Sequence, residues 1–222
     1  MSIEDDKRLA AEAAVQEVRD GMVVGLGTGS TAAFAITALS RRCAAGLRIE
    51  AVATSEASTA AASAGGIIVR DFADFTTLDV AIDGADEIDA RLWAIKGAGG
   101  AMLREKTVAA AARRFIVIAD GSKRVDAIGA AKLPVEVLPF ARAFVVAQLQ
   151  NLGAAVTIRP SYRSDNGNLV ADCRFDAMTD PPAVAAAIAA IPGALGHGLF
   201  LDEVDAAYIA TDGAVTRLER SA

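Results

Sequence analysis

The segment Asp83–Lys106, DGADEIDARLWAIKGAGGAMLREK, organises the reading of the whole chain. It carries four carboxylates (Asp83, Asp86, Glu87, Asp89), then Lys96, then a turn containing Gly97, Gly99 and Gly100, then Glu105. The apolar run 78–82 that leads into it has the composition of a buried parallel strand. That places Asp83 and Asp86 just past the strand's carboxyl end, where open α/β sheets bind ligands. Residues 101–112 read as a helix, and the glycines before it expose backbone N–H groups at its start, a setting that attracts anions or developing negative charge. Glu105 lies one turn in and can lean back over the N-terminus. A carboxylate base, a fixed cation and an oxyanion cradle are the parts needed to move a proton beside a carbonyl. Acid-rich turns are usually solvated loops, and a Glu between Arg104 and Lys106 is usually helix surface. The glycine-dense backbone beside four acids and a lysine is poor material for a merely stabilising turn.

Upstream, apolar residues at Leu9, Ala13, Val15 and Val18 give an amphipathic helix over 5–18. A short strand at 22–24 runs into GLGTGST at 25–31, and a helix follows over 32–39. Strand, Gly-rich turn and helix form a phosphate- or nucleotide-binding beginning. It is neither a dinucleotide fingerprint, since Ser30 stands where the third glycine is required, nor a Walker A loop, since no Lys precedes Ser30 or Thr31. The hydroxyls of Thr28, Ser30 and Thr31 around Gly29 suit a small phosphate or sugar; the alternative is an N-cap in a tight turn. A strand at 48–53, a helix capped by Ser55 and a strand at 67–69 follow, so β-α-β-α-β precedes the strand ending at Ile82. That order calls for a parallel sheet with right-handed crossovers. Beyond the acidic segment, a strand at 115–119 ends in Asp120-Gly121-Ser122-Lys123, and Lys123 is a second cation past a strand end.

The pattern changes near Gly129. A strand at 132–138 contains Pro134, which points to a sheet edge. A helix at 141–152, strands at 155–159 and 169–175, a helix at 182–191 and a strand at 198–201 complete a β-α-β-β-α-β unit of ferredoxin-like order. Residues 129–203 therefore read as a smaller second domain. A hairpin over 206–210 and 214–218 is expected to rejoin the large sheet.

At 222 residues and 53% hydrophobic composition, the chain buries a full core. Its net charge of −6 argues against nucleic acid or anionic membrane as partners, while a local pocket can still take a phosphorylated metabolite. Cys43 and Cys173 have no CxxC partner and read as free thiols of a reducing compartment. His197 is the only histidine, so a His-rich zinc site or a Ser–His–Asp triad has little support, and His197 itself reads as a loop or strand-edge residue. The acidic N-terminal segment does not read as a signal peptide, and no apolar stretch reaches the ~18–20 residues of a membrane span.

Taken together, GLGTGST at 25–31, TSEAST at 54–59, DGADEID at 83–89, KGAGGAMLREK at 96–106, ADGSK at 119–123, LPVEVLPFAR at 133–142, SDNGN at 164–168 and GLF at 198–200 resemble ribose-5-phosphate isomerases of the A type, in family order over nearly the whole chain. The resemblance implies an α/β fold: a Rossmann-like parallel-sheet core, here 1–128 plus 204–222, with a ferredoxin-like α+β domain at 129–203. It implies an intramolecular oxidoreductase that interconverts D-ribose 5-phosphate and D-ribulose 5-phosphate through an enediolate, in the non-oxidative pentose phosphate pathway. No metal or cofactor is implied; the expected assembly is a cytoplasmic homodimer or tetramer. Carried over by motif, Glu105 is the proton-shuttling base, and Asp83, Asp86 and Lys96 line the reacting end, with Gly84, Ala85, Gly97, Ala98 and Gly99 around them. Thr28, Gly29, Ser30, Thr31 and Lys123 contact substrate, Lys123 near the phosphate. The division of work between Asp83 and Asp86 stays open. The turn departs from the family's usual KGGGAALTREK at Ala98, Gly100 and Leu103, and a methyl at Ala98 is expected to press on the pocket if close backbone approach is needed there. Three rivals remain: a non-catalytic sugar-phosphate sensor, which would want a DNA-binding segment before residue 20; an NAD-dependent oxidoreductase with Glu56 on the ribose, which lacks its glycine at 30; and an amino-sugar phosphate deaminase, for which a single distant His197 is thin support.

Overall fold

The computed structural model describes residues 2–220; Met1, Ser221 and Ala222, which fall in the expected core, lie outside the described residues. The first helix, α1 (Ile3–Ala14), starts earlier than the apolar pattern alone indicates. Ser2 closes a capping box: its hydroxyl accepts from the Asp5 N–H, and the Asp5 carboxylate accepts from the Ser2 N–H. Then follow β1 (Val23–Leu26), α2 (Ser30–Ala44), β2 (Glu50–Ala53), α3 (Glu56–Ala64), β3 (Ile68–Val69) and β4 (Val80–Gly84). The acidic segment contributes β5 (Glu87–Ile88) and β6 (Ala94–Ile95) before α4 (Met102–Ala111) and β7 (Phe115–Asp120). The next stretch is β8 (Leu133–Val137), α5 (Arg142–Asn151), β9 (Ala155–Ile158), β10 (Leu169–Arg174), α6 (Pro181–Ala189) and β11 (Ala194–His197). The chain ends in β12 (Leu199–Phe200), β13 (Ala206–Thr211) and β14 (Ala214–Glu219).

Among the described residues, β14-β13-β7-β4-β1-β2-β3 form one sheet, parallel except for the β13–β14 hairpin, which does rejoin it beside β7. All of β7 is buried, as a strand covered on both faces must be. The chain passes from β1 outward to β2 and β3, then returns to the other side of β1 as β4. The strand order reverses there, so the loops after β1 and β4 flank one crevice. A second sheet, β11-β8-β10-β9, has the ferredoxin-like arrangement. No described helix is long and apolar enough to cross a membrane.

Two expectations are corrected. Strand β8, despite Pro134, is internal: β10 pairs along one side and β11 along the other. Pro134 is tolerated because β11 leaves the sheet at that level. The Gly198 N–H donates to the Pro134 carbonyl, while the Gly198 carbonyl turns away to accept from the Lys96 N–H, so the missing proline N–H is not needed. For the same reason the stretch 198–201 is not the fourth strand of the small sheet. Residues 194–197 fill that place, and Leu199–Phe200 pairs with β6 in a separate sheet, β12-β6-β5. That crossing ties Lys96 to both sheets. It also sets Phe200 against Phe115, ring centroids 6.1 Å apart, in the core beneath the site.

Candidate active site

Asp83 is the fourth residue of β4 and is 2% exposed. Its Oδ1 accepts from the Thr28 N–H at 3.0 Å and from the Gly84 N–H at 2.7 Å, which joins the β1 turn to the β4 turn. Gly27 makes this approach feasible, because a Cβ there would overlap the Asp83 carboxylate. Asp83 Oδ2 lies 2.8 Å from Lys96 Nζ, and Lys96 Nζ lies 3.2 Å from Glu105 Oε2. Lys96 is 2% and Glu105 3% exposed. The ammonium donates to the Gly84 carbonyl and lies 5.4 Å from the Phe200 ring centroid. Among the described residues, neither Asp83 Oδ2 nor Glu105 Oε2 receives an aligned hydrogen bond. Their attraction to Lys96 is therefore a close charge contact, and each keeps a lone pair unspent.

Burial dominates the electrostatics. It raises the Glu105 carboxyl to about 8; nearby Asp83 adds to the rise, and Lys96 only partly offsets it. Asp83 is raised by burial too, with Lys96 opposing. Burial alone would lower Lys96, but the adjacent Asp83 and Glu105 outweigh it and hold the amine above its ordinary value. Lys96 is thus a permanent cation between two carboxylates. Glu105 is a stronger base than the ordinary Glu (pKa ~4.3) that sequence alone suggests.

A cavity of about 280 Å³ opens in front of this trio. Thr28, Gly29, Ser30 and Thr31 border it from the β1 turn and the start of α2; Gly84, Ala85 and Asp86 follow β4; Lys96, Gly97, Ala98 and Gly99 come from the turn before α4; Glu105 and Lys123 complete that side. Every site residue carried over by the resemblance borders it except Asp83, which contacts Lys96 from outside the lining. At the α2 end, Gly29 offers no side-chain cap, so the first N–H groups of the helix have no capping side chain. The Thr28 hydroxyl pairs with that of Thr54 at 2.7 Å, and the Ser58 hydroxyl donates to the Gly27 carbonyl, so TSEAST braces the first turn from behind.

Of the four acids in the opening segment, two serve the scaffold. Glu87 accepts from the Gly129 and Ala131 N–H groups, each at 2.7 Å, and Asp89 from Arg91 and Trp93. Asp86 Oδ2 accepts from the Ala98 N–H at 2.9 Å, which pins the turn against the β4 loop. Ala98 puts no strain on the turn: the non-glycine residues of positive φ are Leu92, Ser161 and Asp212 among the described residues, and Ala98 is exposed. His197 lies in β11, an edge strand, where burial lowers it to about 4.

The sequence reading missed Lys7. It projects from α1 to the cavity wall, with Nζ 3.1 Å from Ser30 Oγ and 2.7 Å from Glu4. A lysine among acids on an amphipathic helix looks like solvated surface, and no local pattern distinguishes it.

The family model "Ribose 5-phosphate isomerase A (phosphoriboisomerase A)" matches residues 50–213. Over 92% of both chains, the protein is 53% identical to "Ribose-5-phosphate isomerase A" of Sphingopyxis alaskensis. It is 46% identical to the protein of the same name from Thermomicrobium roseum over 100% of this chain and 96% of that one. Ribose 5-phosphate isomerase A from Neisseria gonorrhoeae superposes with a TM-score of 0.94 at 36% identity, covering 100% and 99% of the two chains. A D-ribose-5-phosphate isomerase solved in complex with phospho-erythronic acid gives 0.95 at 34%, covering 99% and 100%. The chain belongs to the ribose 5-phosphate isomerase A family and is an intramolecular oxidoreductase that interconverts D-ribose 5-phosphate and D-ribulose 5-phosphate.

Proposed function

We propose that the isomerisation runs through an enediolate, with Glu105 as the single base. Glu105 takes the C2 proton of the open-chain aldose, negative charge passes to the C1 oxygen, and the same carboxyl returns the proton to C1. The hydroxyl proton moves from O2 to O1 in the same turnover. Asp86, on the cavity wall, handles that proton and assists opening of the furanose ring. Asp83, behind the wall, holds Lys96. Lys96 and the Gly99 N–H of the 97–100 turn stabilise the enediolate. One observation carries this reading: Lys96 Nζ lies between the two buried carboxylates, 2.8 Å from one and 3.2 Å from the other, at the edge of a cavity of substrate size.

The phosphate goes to the other end, where the α2 N-terminus, Ser30, Thr31, Lys7 and Lys123 combine backbone donors, hydroxyls and two cations. An anchor of this kind is held in both ground and transition states, so its loss weakens binding uniformly. Lys7→Ala and Lys123→Ala are each expected to raise KM about tenfold or more with kcat within a few-fold. A steady-state titration with ribose 5-phosphate checks it; unchanged KM with collapsed kcat would refute the assignment.

Because Lys96 and backbone donors supply the electrophile, turnover needs no divalent metal or nucleotide. The experiment that tests the reading is formation of ribulose 5-phosphate from ribose 5-phosphate after exhaustive EDTA treatment. Full activity is expected; loss restored by a divalent ion would overturn it. We further place the reaction in the non-oxidative pentose phosphate pathway of the cytoplasm, in line with two free thiols. The chain is proposed to divide into 1–128 plus 204–222 and 129–203, the second unit having its own sheet and buried cluster around Leu133, Val135 and Leu149. A homodimer or tetramer is the proposed assembly, supported by Phe140 and Phe144, which are 96% and 51% exposed.

A further inference from the structure

Against the 97–100 turn lie two residues that the mechanism above does not use. Arg159 follows β9, and its guanidinium donates to two successive carbonyls of the turn, Ala98 at 2.9 Å and Gly97 at 3.2 Å. Asp172 in β10 grips the same guanidinium at 3.1 and 2.7 Å. The Tyr162 hydroxyl donates to the next carbonyl, Gly99, at 2.8 Å. Three consecutive carbonyls are thus held by side chains that follow β9. A trans peptide directs its N–H opposite its C=O, so the Gly99 N–H faces away from the guanidinium that holds the Ala98 carbonyl. The N–H groups on either side of it are occupied: Ala98 donates to Asp86 at 2.9 Å, and Gly100 back to the Gly97 carbonyl at 2.8 Å. The Gly99 N–H meets no protein acceptor among the described residues, and Gly99 borders the cavity. The peptide that carries this N–H is the one whose carbonyl, that of Ala98, takes the guanidinium bond. A charge-assisted bond to the carbonyl polarises the peptide and strengthens its N–H as a donor.

The fit of the turn to this clamp is specific. Gly100 adopts φ +82°, and a Cβ there would collide with the Tyr162 hydroxyl and ring. The Arg159 side chain is 16% and that of Asp172 13% exposed, so the pair is largely shielded from solvent. An exposed ion pair contributes little, but one that is shielded and bound at two atoms holds its geometry.

We propose that Arg159 and Tyr162 are positioning residues for the isomerisation, holding the turn from the small sheet so that the Gly99 N–H is aimed at, and polarised toward, the enediolate oxygen. Neither lines the cavity in front of Lys96 and Glu105. The proposal rests on the reading of the turn as the enediolate cradle. It makes catalysis depend on β9 and β10, in which sequence reasoning had seen only scaffold. Displacing a catalytic group by about 1 Å can cost on the order of 10² in rate.

The test compares wild type with Arg159→Gln, Arg159→Lys and Tyr162→Phe. Each is assayed for kcat and KM with ribose 5-phosphate, and for inhibition by phospho-erythronic acid and by erythritol 4-phosphate. The acid places a carboxylate where the enediolate forms; the alcohol keeps the phosphate and lacks the anion. Wild type is expected to prefer the acid. Arg159→Gln should lower kcat roughly 10- to 100-fold with KM within about threefold, and lose the preference for the acid by a similar factor. Arg159→Lys, with one donor head in place of a fork, should fall between. Tyr162→Phe, which removes a single hydroxyl and leaves the core untouched, should lower kcat several-fold and provides the answer should Arg159→Gln fold poorly. A merely structural role would lower the melting temperature and leave the acid-over-alcohol preference unchanged. That result, or kcat within twofold of wild type in folded Arg159→Gln and Tyr162→Phe, overturns the proposal. If wild type itself shows no preference for the acid, the cradle reading fails and the proposal goes with it, so the two failures are distinguishable.

Discussion

Glu105→Gln is expected to abolish turnover, lowering kcat by about 10⁴, while fold and substrate binding persist. Gln keeps the shape but cannot accept a carbon-bound proton. Exchange of the C2 proton with deuterated solvent reports abstraction even when no product accumulates, and melting with and without ribose 5-phosphate reports fold and binding. Were Glu105 ordinary helix surface, the change would shift stability by about 0.5 kcal/mol and leave the rate alone. Near wild-type exchange in the variant would move the base to Asp83 or Asp86. The same substitution has a pH signature. Glu105 is ordinarily at 4.5 and is raised by burial to about 8 in the folded chain. Between those values the folded state holds a proton that the unfolded state has released. The stabilisation is therefore complete below about 4.5 and is lost as pH rises through 8. Gln has no such proton, so the melting temperature of Glu105→Gln relative to wild type should climb from pH 4.5 to 8. With Glu105 as the proposed base, kcat/KM of wild type should rise over the upper part of that range and level off above it.

Lys96→Met is expected to lower kcat by about 10²–10³ and to destabilise the fold by roughly 3–5 kcal/mol, the range for breaking a buried ion pair. The ammonium is the shared counter-charge of Asp83 and Glu105, at 2.8 and 3.2 Å. Without it the two carboxylates cannot both ionise, and the acid limb of the kcat/KM profile should move to higher pH. Methionine fills the same volume, so the loss reports charge rather than a cavity. Thermal melting and the pH profile measure the two effects separately. A folded variant with kcat within tenfold of wild type and an unmoved profile would show that the enediolate charge is met by something other than Lys96.

How much of this was readable in advance depended on range. Hydrophobic period and glycine placement located the strands before GLGTGST and DGADE and the helix carrying Glu105, because strand and helix patterns are local. Crevice position followed from strand order, because parallel β-α-β units have few allowed topologies. Pro134 and the 198–201 stretch were misplaced because pairing partners are not encoded locally: whether a missing N–H matters depends on what lies opposite it. The scaffold roles of Glu87 and Asp89 were not legible for the same reason, since a carboxylate in an acid-rich loop can serve substrate or backbone equally well.

The sequence by itself determined the residue types around the cavity and their order: a carboxylate one turn into a helix, a lysine before a glycine turn, hydroxyls at a helix start. Each of those depends on spacing within one element or one turn. Tertiary structure alone decided three things. It raised Glu105 to about 8, because burial beside Asp83 is a property of packing. It brought Lys7 to Ser30 and Arg159 and Tyr162 to the 97–100 turn, contacts that span 23 to 63 residues of chain. And it placed Asp83 behind the cavity and Asp86 on its wall, since two acids on either side of a strand's end differ in where the backbone turns, not in what they are.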